Sequence, residues 1–490
     1  MELVIEGRAL YEGRLQELAI GVDGGLISKV GKVLRGERVL DFGDNIILPG
    51  AVDAHVHLRE PGLTRKEDIA TGTTAAACGG VTTVLEMPNT IPPAASISAI
   101  REKAGIASRR ACVDIGLFAG FTVDNPPVEA ASMVVGYKLY MSSATEALLI
   151  SDYSSIPSLL AGISETGKPM AVHAEDEAII RRLGLLPKNL REHSESRPPE
   201  AETEAARKFI EALGKGRGHI CHLSAGGTLE LIGRARSGQR GNGGEKKDGG
   251  AGVPGRIEME APGKTEAAEA EHAEGNGHRE PASKLLTCEL TPHHLLLDAD
   301  DHASLGALAK TNPPVRGMAE RAALWRAFLD GSVDILASDH APHLEEEKDT
   351  SFADAPAGVP GTETMVPLMI ALAKKGRVPL QLIVAMACSR PAEVYGINCG
   401  KIAPGMPASL AVYDPTSASE IKGKKLHSKC AWSPFEGFEA IFPRAVLLRG
   451  ELIVEGGEPV VSPGQGRLVG SGRPEPSQPP FGAKPSIDRM

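Results

Sequence analysis

Aromatic residues are scarce in this chain. Two Trp, six Tyr and ten Phe make up 4% of 490 residues, so a core must be built from Val, Ile, Leu and Ala. Cysteine is sparse too: seven residues with no CxxC pair argue against a disulfide framework and suit reduced thiols in a cytoplasmic enzyme. No apolar run approaches the roughly 18 residues that a bilayer crossing needs. The N-terminus "MELVIEGRALYEG" lacks the basic and apolar regions of a signal peptide. The net charge is -10 and no basic stripe is present to neutralise phosphates, so neither nucleic acid nor membrane is expected as a partner. A soluble globular protein remains, long enough for one large α/β domain with a satellite.

Residues 1–50 alternate apolar and polar positions between Gly-bearing turns, in "LVIEGRAL", "ELAIGVDGGLISKVG" and "RVLDFGDNIILPG". That is the pattern of an antiparallel sheet. The texture returns in "KIAPGMPASLAVYDP" and "RAVLLRGELIVEGG", so 1–50 and 399–462 are expected to form one small flanking β-sandwich. Between them, over 51–398, eight short apolar runs alternate with helical stretches: "AVDAHVHL", "VTTVLEMP", "CVDIGLFAG", "VVGYKLYM", "KPMAVHAE", "GHICHLS", "LLTCELTPHH" and "SVDILASDHAP". Strands alternating with helices imply parallel βα units, and eight predict a (β/α)8 TIM-type barrel. Most runs finish in polar residues, at the face where barrel active sites are built. Residues 237–284, rich in Gly, Glu, Lys and Ala, lack the apolar content to order themselves. They are expected to form a disordered insertion on the opposite, N-terminal face. The Pro- and Gly-rich tail, 463–490, is expected to be loosely held.

The stretch "GAVDAHVHLREPG" carries the first chemistry. Side chains at i and i+2 of a strand share a face, so His55 and His57 stand together at its end, as two ligands of one metal would. Lys138, His173, His222 and Asp339 fall near the ends of the fourth, fifth, sixth and eighth runs. Four imidazoles and a carboxylate at one mouth suit two borderline divalent cations, with Zn2+ the natural choice for so many histidines. Lys138 is the odd member, because an ammonium beside two cations is repelled. A neutral lysine captures CO2 as a carbamate, whose oxygens can bridge metals about 3.5–4 Å apart.

The motifs "DAHVHLREPG", "EMPNT", "YKLYM", "VHAE", "HICHLS", "CELTPHH", "SDHAPH" and "WSPFEG" occur in an order that resembles the dihydroorotases of the amidohydrolase superfamily. The resemblance spans nearly the whole chain outside 237–284 and the tail. It implies that His55, His57 and Asp339 hold one metal and His173 and His222 the other. Carbamylated Lys138 and a hydroxide would bridge the two. Arg59, Asn89 and His343 match residues that grip a substrate α-carboxylate, and Asn312 matches a further substrate contact. The implied reaction is the reversible cyclisation of N-carbamoyl-L-aspartate to dihydroorotate plus water, in pyrimidine biosynthesis, with Asp339 carrying the proton. The resemblance admits a homodimer and an association with aspartate carbamoyltransferase. Two rival readings are an allantoinase or dihydropyrimidinase, and a non-catalytic homologue acting as a scaffold. A dihydropyrimidine has no carboxylate to need Arg59, Asn89 and His343 together, and a scaffold has no reason to keep every ligand position filled.

Four further features are weighed against ordinary structural roles; a lid at Thr145 and a covering loop at Gly358–Thr364 are what the resemblance implies. Thr145 in "SSATEAL" is either a lid residue or a helix cap. Cys221 alternates away from His222 and is expected to be a packed thiol, with an extra metal ligand at Cys221 or Glu289 the other reading. His293 and His294 suit hydrogen bonds to the ligands. The segment "GVPGTET" (Gly358–Thr364) is either a substrate-covering loop or an ordinary turn.

Overall fold

A computed structural model describes residues 1–122, 126–142, 146–150, 152–238 and 285–470. Thr145, nearly all of the 237–284 insertion and the tail beyond 470 lie outside the described residues. The chain begins with β1 (Leu3–Tyr11), β2 (Arg14–Asp23), β3 (Leu26–Gly31) and β4 (Arg38–Pro49). Eight barrel strands follow. They are β5 (Ala51–Val56), β6 (Val81–Glu86), β7 (Asp114–Gly120), β8 (Gly136–Tyr140), β9 (Met170–His173), β10 (Gly218–Ile220), β11 (Leu286–Leu290) and β12 (Ile335–Leu336). The chain then adds β13 (Leu410–Tyr413), the short pair β14 (Ser419–Glu420) and β15 (Glu439–Ala440), and β16 (Pro443–Leu448), β17 (Glu451–Glu455) and β18 (Glu458–Pro459).

β5 to β12 pair in chain order, all parallel, and a single bridge between Val56 and His340 brings the last back to the first. This is the (β/α)8 barrel that the alternating runs predict. Helices cover the outside, so most of its strands are buried along their whole length rather than alternately. The first helix, Ile69–Cys78, starts at a reciprocal capping box between Asp68 and Thr71. Inside, Val52, Ala54, Leu85, Phe118, Ala171 and Ile335 pack into a plug, against which Tyr395 lays its ring edge-on to Phe118. The polar mouth above therefore rests on a filled core rather than a pore. The pairing of β5 slips between Asp53 and Val56, which turns His55 inward above Ala54.

The two chain ends build the one flanking β unit that their texture predicts, with one parallel strand pair among the antiparallel ones. A single mixed sheet runs β18-β17-β16-β13-β4-β1-β2-β3, with β1 and β4 parallel. Twelve-residue β4 is long enough to pair with β1 on one edge and with β13 on the other. At the far edge Leu26 bridges Pro407, enclosing Ile5, Ile20, Ile27, Ile47, Leu410 and Leu447. Residues 463–470 depart from the loosely held tail. Ile115 N donates to Arg467 O and Val469 N to Ile115 O, both at 2.9 Å. Backbone pairing to β7, not side-chain content, holds this segment. Of the insertion, only Ser237 and Gly238 are described, in the turn after the helix Gly226–Arg236. Arg236 Nε donates to Leu286 O at 3.1 Å, so both flanks of the insertion lie at the N-terminal ends of the strands.

Gly80 joins the first barrel helix to β6 with φ +84, and a Cβ there would meet Tyr413 Oη at 2.0 Å. Gly80→Ala is expected to cost about 2–4 kcal/mol through left-handed strain and overpacking against β13. The shift of the urea unfolding midpoint measures it.

Candidate metal centre

Six polar side chains from five strand ends converge above the plug. His55, Lys138, His173 and His222 are almost wholly buried, and His57 and Asp339 nearly so. The rings of His55 and His57 stand 5.3 Å apart, those of His55 and His222 5.2 Å, and those of His173 and His222 4.8 Å. Asp339 Oδ1 lies 3.5 Å from His55 Nε2 and 3.3 Å from His57 Nε2. Lys138 Nζ is 3.4 Å from His55 Nε2 and 3.0 Å from Cys221 Sγ.

Partners behind the imidazoles decide which nitrogen faces inward. His55 Nδ1 donates to Glu289 Oε1 and His57 Nδ1 to Asn89 Oδ1, both at 2.6 Å, leaving each Nε2 lone pair toward Asp339. His173 Nε2 donates to Glu175 Oε2 at 2.8 Å, so its Nδ1 faces His222 Nε2 at 3.1 Å. Either a proton on His222 Nε2 donated to His173 Nδ1 or a cation between the two suits that distance, since a zinc ion about 2.0–2.1 Å from each nitrogen holds them about 3.3 Å apart. His222 Nδ1 is buried without a hydrogen-bond partner among the described residues, which leaves its tautomer to a bound group. The donor set thus fits divalent cations, with His55, His57 and Asp339 presenting ligand atoms within 4.8 Å of one another.

Charges are arranged to keep the imidazoles neutral. Burial pushes His55 down to about 4 and His222 well below its ordinary range. Burial alone would raise the carboxyls of Asp339 and Glu289, yet the surrounding histidines hold both well below the carboxylate range. Glu175 is likewise held low against its burial by Arg197, which donates through Nε and Nη2 at 2.9 and 2.6 Å. Backbone strain gathers here as well. Of the six non-glycine residues with left-handed φ among the described ones, Arg59 (+63), His222 (+33) and Asp339 (+47) belong to this site.

At the rim, Arg59 Nε donates to Pro342 O at 3.2 Å, and its Nη2 sits 3.2 Å from His343 Nε2. Lys66 Nζ donates to His343 Nδ1 at 3.1 Å, while His343 Nε2 meets Ala357 O. Asn89 is brought to the cluster, where its Oδ1 accepts from His57 Nδ1. Asn312 has its Oδ1 engaged by His193 Nε2 at 3.0 Å, on a cleft of about 520 Å³ shared with Arg197, Lys310 and Ala357. The loop Gly358–Thr364 is fastened to the site, since Gly361 N donates to His340 Nδ1 and Val359 bridges His340. His294 is bonded to Thr291 and Pro313 O, rather than to a ligand.

Sequence alternation misplaces Cys221. β10 ends at Ile220, and the left-handed turn at His222 lets both Cys221 and His222 face the cluster. Cys221 is a packed thiol, pushed up by burial, but it packs under Lys138. Glu289 is committed to His55, to His219 Nε2 at 2.9 Å and to His222 N at 3.1 Å. Glu175, Arg197, Asp53 and Ser338 escaped the sequence reading. A carboxylate two residues after a candidate ligand, as Glu175 is, or one inside an apolar strand, as Glu289 is, needs a buried partner and is the signal that finds such residues.

Barrel, inward-facing imidazoles and terminal carboxylate together define an amidohydrolase. An amidohydrolase-family model matches residues 265–438, and a dihydro-orotase-like model matches 44–139. The chain is 36% identical to a dihydroorotase of Methanosarcina acetivorans over 95% of both chains. It is 34% identical to one of Halobacterium salinarum over 92% of this chain and 96% of that one. Among solved structures it is similar to the L-hydantoinase of Arthrobacter aurescens, with TM-score 0.83, 25% identity, and 96% and 99% of the two chains covered. The chain belongs to the dihydroorotase family. No helix among the described residues is long and apolar enough to cross a membrane.

Two expectations follow. Glu289→Gln, which weakens the hold on His55 Nδ1, should lower metal retention 10–100-fold, read by metal analysis after dialysis against a chelator. Burial also depresses His193 and His293 to about 4. The unfolded chain takes up protons near pH 6.5 that the fold refuses, so this stability is complete above that pH and is lost as pH falls towards 4. Urea midpoints at pH 7, 5.5 and 4.5 should fall in that order.

Proposed function

We propose that the protein catalyses the reversible cyclisation of N-carbamoyl-L-aspartate to (S)-dihydroorotate, at a binuclear centre bridged by a carbamate on Lys138. His55, His57 and Asp339 would hold one cation and His173 and His222 the other, with Lys138 serving both. Zinc suits a set so rich in imidazole. When bound, two such cations supply an acidified water and a polarised ring carbonyl.

The remaining chemistry falls to side chains. Asp339 Oδ1 accepts the proton of the attacking water and returns it to the departing ring nitrogen as the amide opens. In the cyclising direction the same oxygen takes the proton of the ureido nitrogen. Its carboxylate is held ionised and so is free to take a proton, and its place beside two imidazole nitrogens keeps it within reach of the reacting atoms. Arg59 binds the non-reacting carboxylate with paired donors, and His343 completes that grip. Asn89 keeps His57 in the tautomer that offers Nε2, and Asn312 is assigned a substrate contact from the adjoining cleft.

One observation carries this reading against the hydantoinase alternative that the fold likeness raises. Arg59 and His343 lie together at the rim, with Arg59 close enough to feel the charge of Asp339. A hydantoin or dihydrouracil has no carboxylate to engage a guanidinium there. The metal-loaded enzyme should therefore turn over dihydroorotate in preference to hydantoin, dihydrouracil and allantoin. Arg59→Met should cut kcat/KM for dihydroorotate by about 10²–10³, the loss of one charge-assisted bidentate contact of roughly 3–4 kcal/mol. Preference for an uncharged ring, or an unchanged kcat/KM in the variant, would overturn the assignment.

A further inference from the structure

Away from the barrel mouth, three chemistry-bearing side chains from distant parts of the chain meet. Cys78 is the last residue of the helix Ile69–Cys78, Glu363 lies beyond β12, and His427 precedes the segment 428–430. Their ligand atoms all lie within 4.8 Å of one another. Glu363 grips His427 twice, accepting its backbone N–H at 2.8 Å and its Nδ1–H at 2.7 Å. That grip fixes the ring and turns His427 Nε2 towards Cys78 Sγ, 3.8 Å away. It is the arrangement seen at His55, where a carboxylate behind the imidazole presents the other nitrogen to a second donor. The close approach is built into the backbone: a Cβ on Gly79 would meet Glu363 O at 2.7 Å.

We propose that Cys78, His427 and Glu363 form a separate site for one zinc-like divalent cation, with Cys78 Sγ and His427 Nε2 as ligands and Glu363 behind the ring. A tetrahedral zinc about 2.3 Å from a thiolate and about 2.0 Å from an imidazole holds the two atoms about 3.5 Å apart, close to the 3.8 Å here. A soft thiolate with an imidazole selects borderline cations over calcium or magnesium. The local field favours positive charge, because both Glu363 and Glu458 act on the thiol and on the imidazole. Binding replaces the thiol proton, which leaves to solvent past the quarter-exposed His427 side chain. The ion would brace three segments, two of which reach His340 at the barrel seam: Gly361 N donates to His340 Nδ1, and Ser428 Oγ donates to Glu67, whose Oε2 lies 3.6 Å from His340 Nε2.

The site is tested with the full-length protein freed of metal and titrated with Co2+ alone. Thiolate ligation gives a sulfur-to-cobalt charge-transfer absorption that imidazoles and carboxylates do not. The band should rise with one cobalt per chain in the wild type and in Cys221→Ser, and vanish in Cys78→Ser. His427→Gln, at a partly exposed position, should weaken that cobalt binding at least tenfold, and serves as the deciding variant where Cys78→Ser fails to fold. Absence of the band in the wild type, its survival in Cys78→Ser, or unchanged affinity in His427→Gln would each overturn the proposal. The proposed reading of the barrel-mouth centre includes no thiolate, so a band that survives in Cys78→Ser and is lost in Cys221→Ser would place the thiolate there instead, while loss of the band in Cys78→Ser leaves that centre untouched.

Discussion

The barrel closes on very little, and the site depends on that closure. β12 contributes two residues, and the ladder that completes the cylinder is a single bridge between Val56 and His340. Side chain and backbone supply the rest: Asp53 accepts from Ser338 N at 2.9 Å and from Ser338 Oγ at 2.5 Å, and His57 N donates to His340 O at 2.7 Å. Asp339 sits between these fastenings, and a left-handed φ swings its carboxylate over His55 and His57. Strain of that kind costs about 1–3 kcal/mol per residue and persists only where the surroundings over-determine it. The Asp53–Ser338 clamp is what over-determines it here.

Behind the inward lone pairs lies a ring of buried anions. Glu289 and Glu175 would each be costly to bury alone, but each is bonded on both sides, Glu289 by two imidazoles and a backbone N–H, Glu175 by His173 and Arg197. These carboxylates do not spend their oxygens on the centre itself; they fix which nitrogen each ring offers. Arg197 also reaches Ser142 at 3.1 Å, just past β8, so the strand that carries Lys138 and the one that carries His173 share one anchor. Arg197 and Arg59 add positive charge at the edge of the ring, while inside it the Lys138 amine lies 3.4 Å from His55 Nε2 and would carry a carbamate on the proposed reading. On the proposed reading, a cluster of neutral imidazoles with acidic backing and cationic edges draws cations to its centre and an anion to its lip.

Local patterning made much of this legible. Alternating strands and helices carry the barrel, and the two-residue spacing of His55 and His57 places both rings on one face. What escaped depends on geometry that no local pattern encodes. His222 and Asp339 lie beyond the ends of their strands and are aimed by left-handed backbone, so counting alternate residues puts Cys221 on the wrong side. The resemblance makes Asn89 a substrate contact, and no local pattern shows that its oxygen also lies 2.6 Å from a histidine on the neighbouring strand. The parallel pairing of β1 with β4 joins residues more than thirty positions apart through backbone bonds to which side-chain alternation is indifferent. Residues 464–469 dock on β7 by the same sequence-blind bonds.

Likeness to hydantoinases across nearly the whole chain means that the frame does not choose the substrate. On the proposed reading, that choice falls to side chains on the turns after β5 and β12, where Arg59 and His343 stand. Those are the two turns that the closing seam ties together. His57 N bonded to His340 O fixes the offset between the strands, and Arg59 Nε bonded to Pro342 O carries the same register two residues further out. The spacing of the guanidinium and the imidazole is therefore set by the contact that places Asp339 over its histidines. A rearrangement of the seam would move the anion grip and the proton acceptor together. Retuning the substrate without losing the chemistry is open only to changes at the tips of those turns, beyond the last shared hydrogen bond.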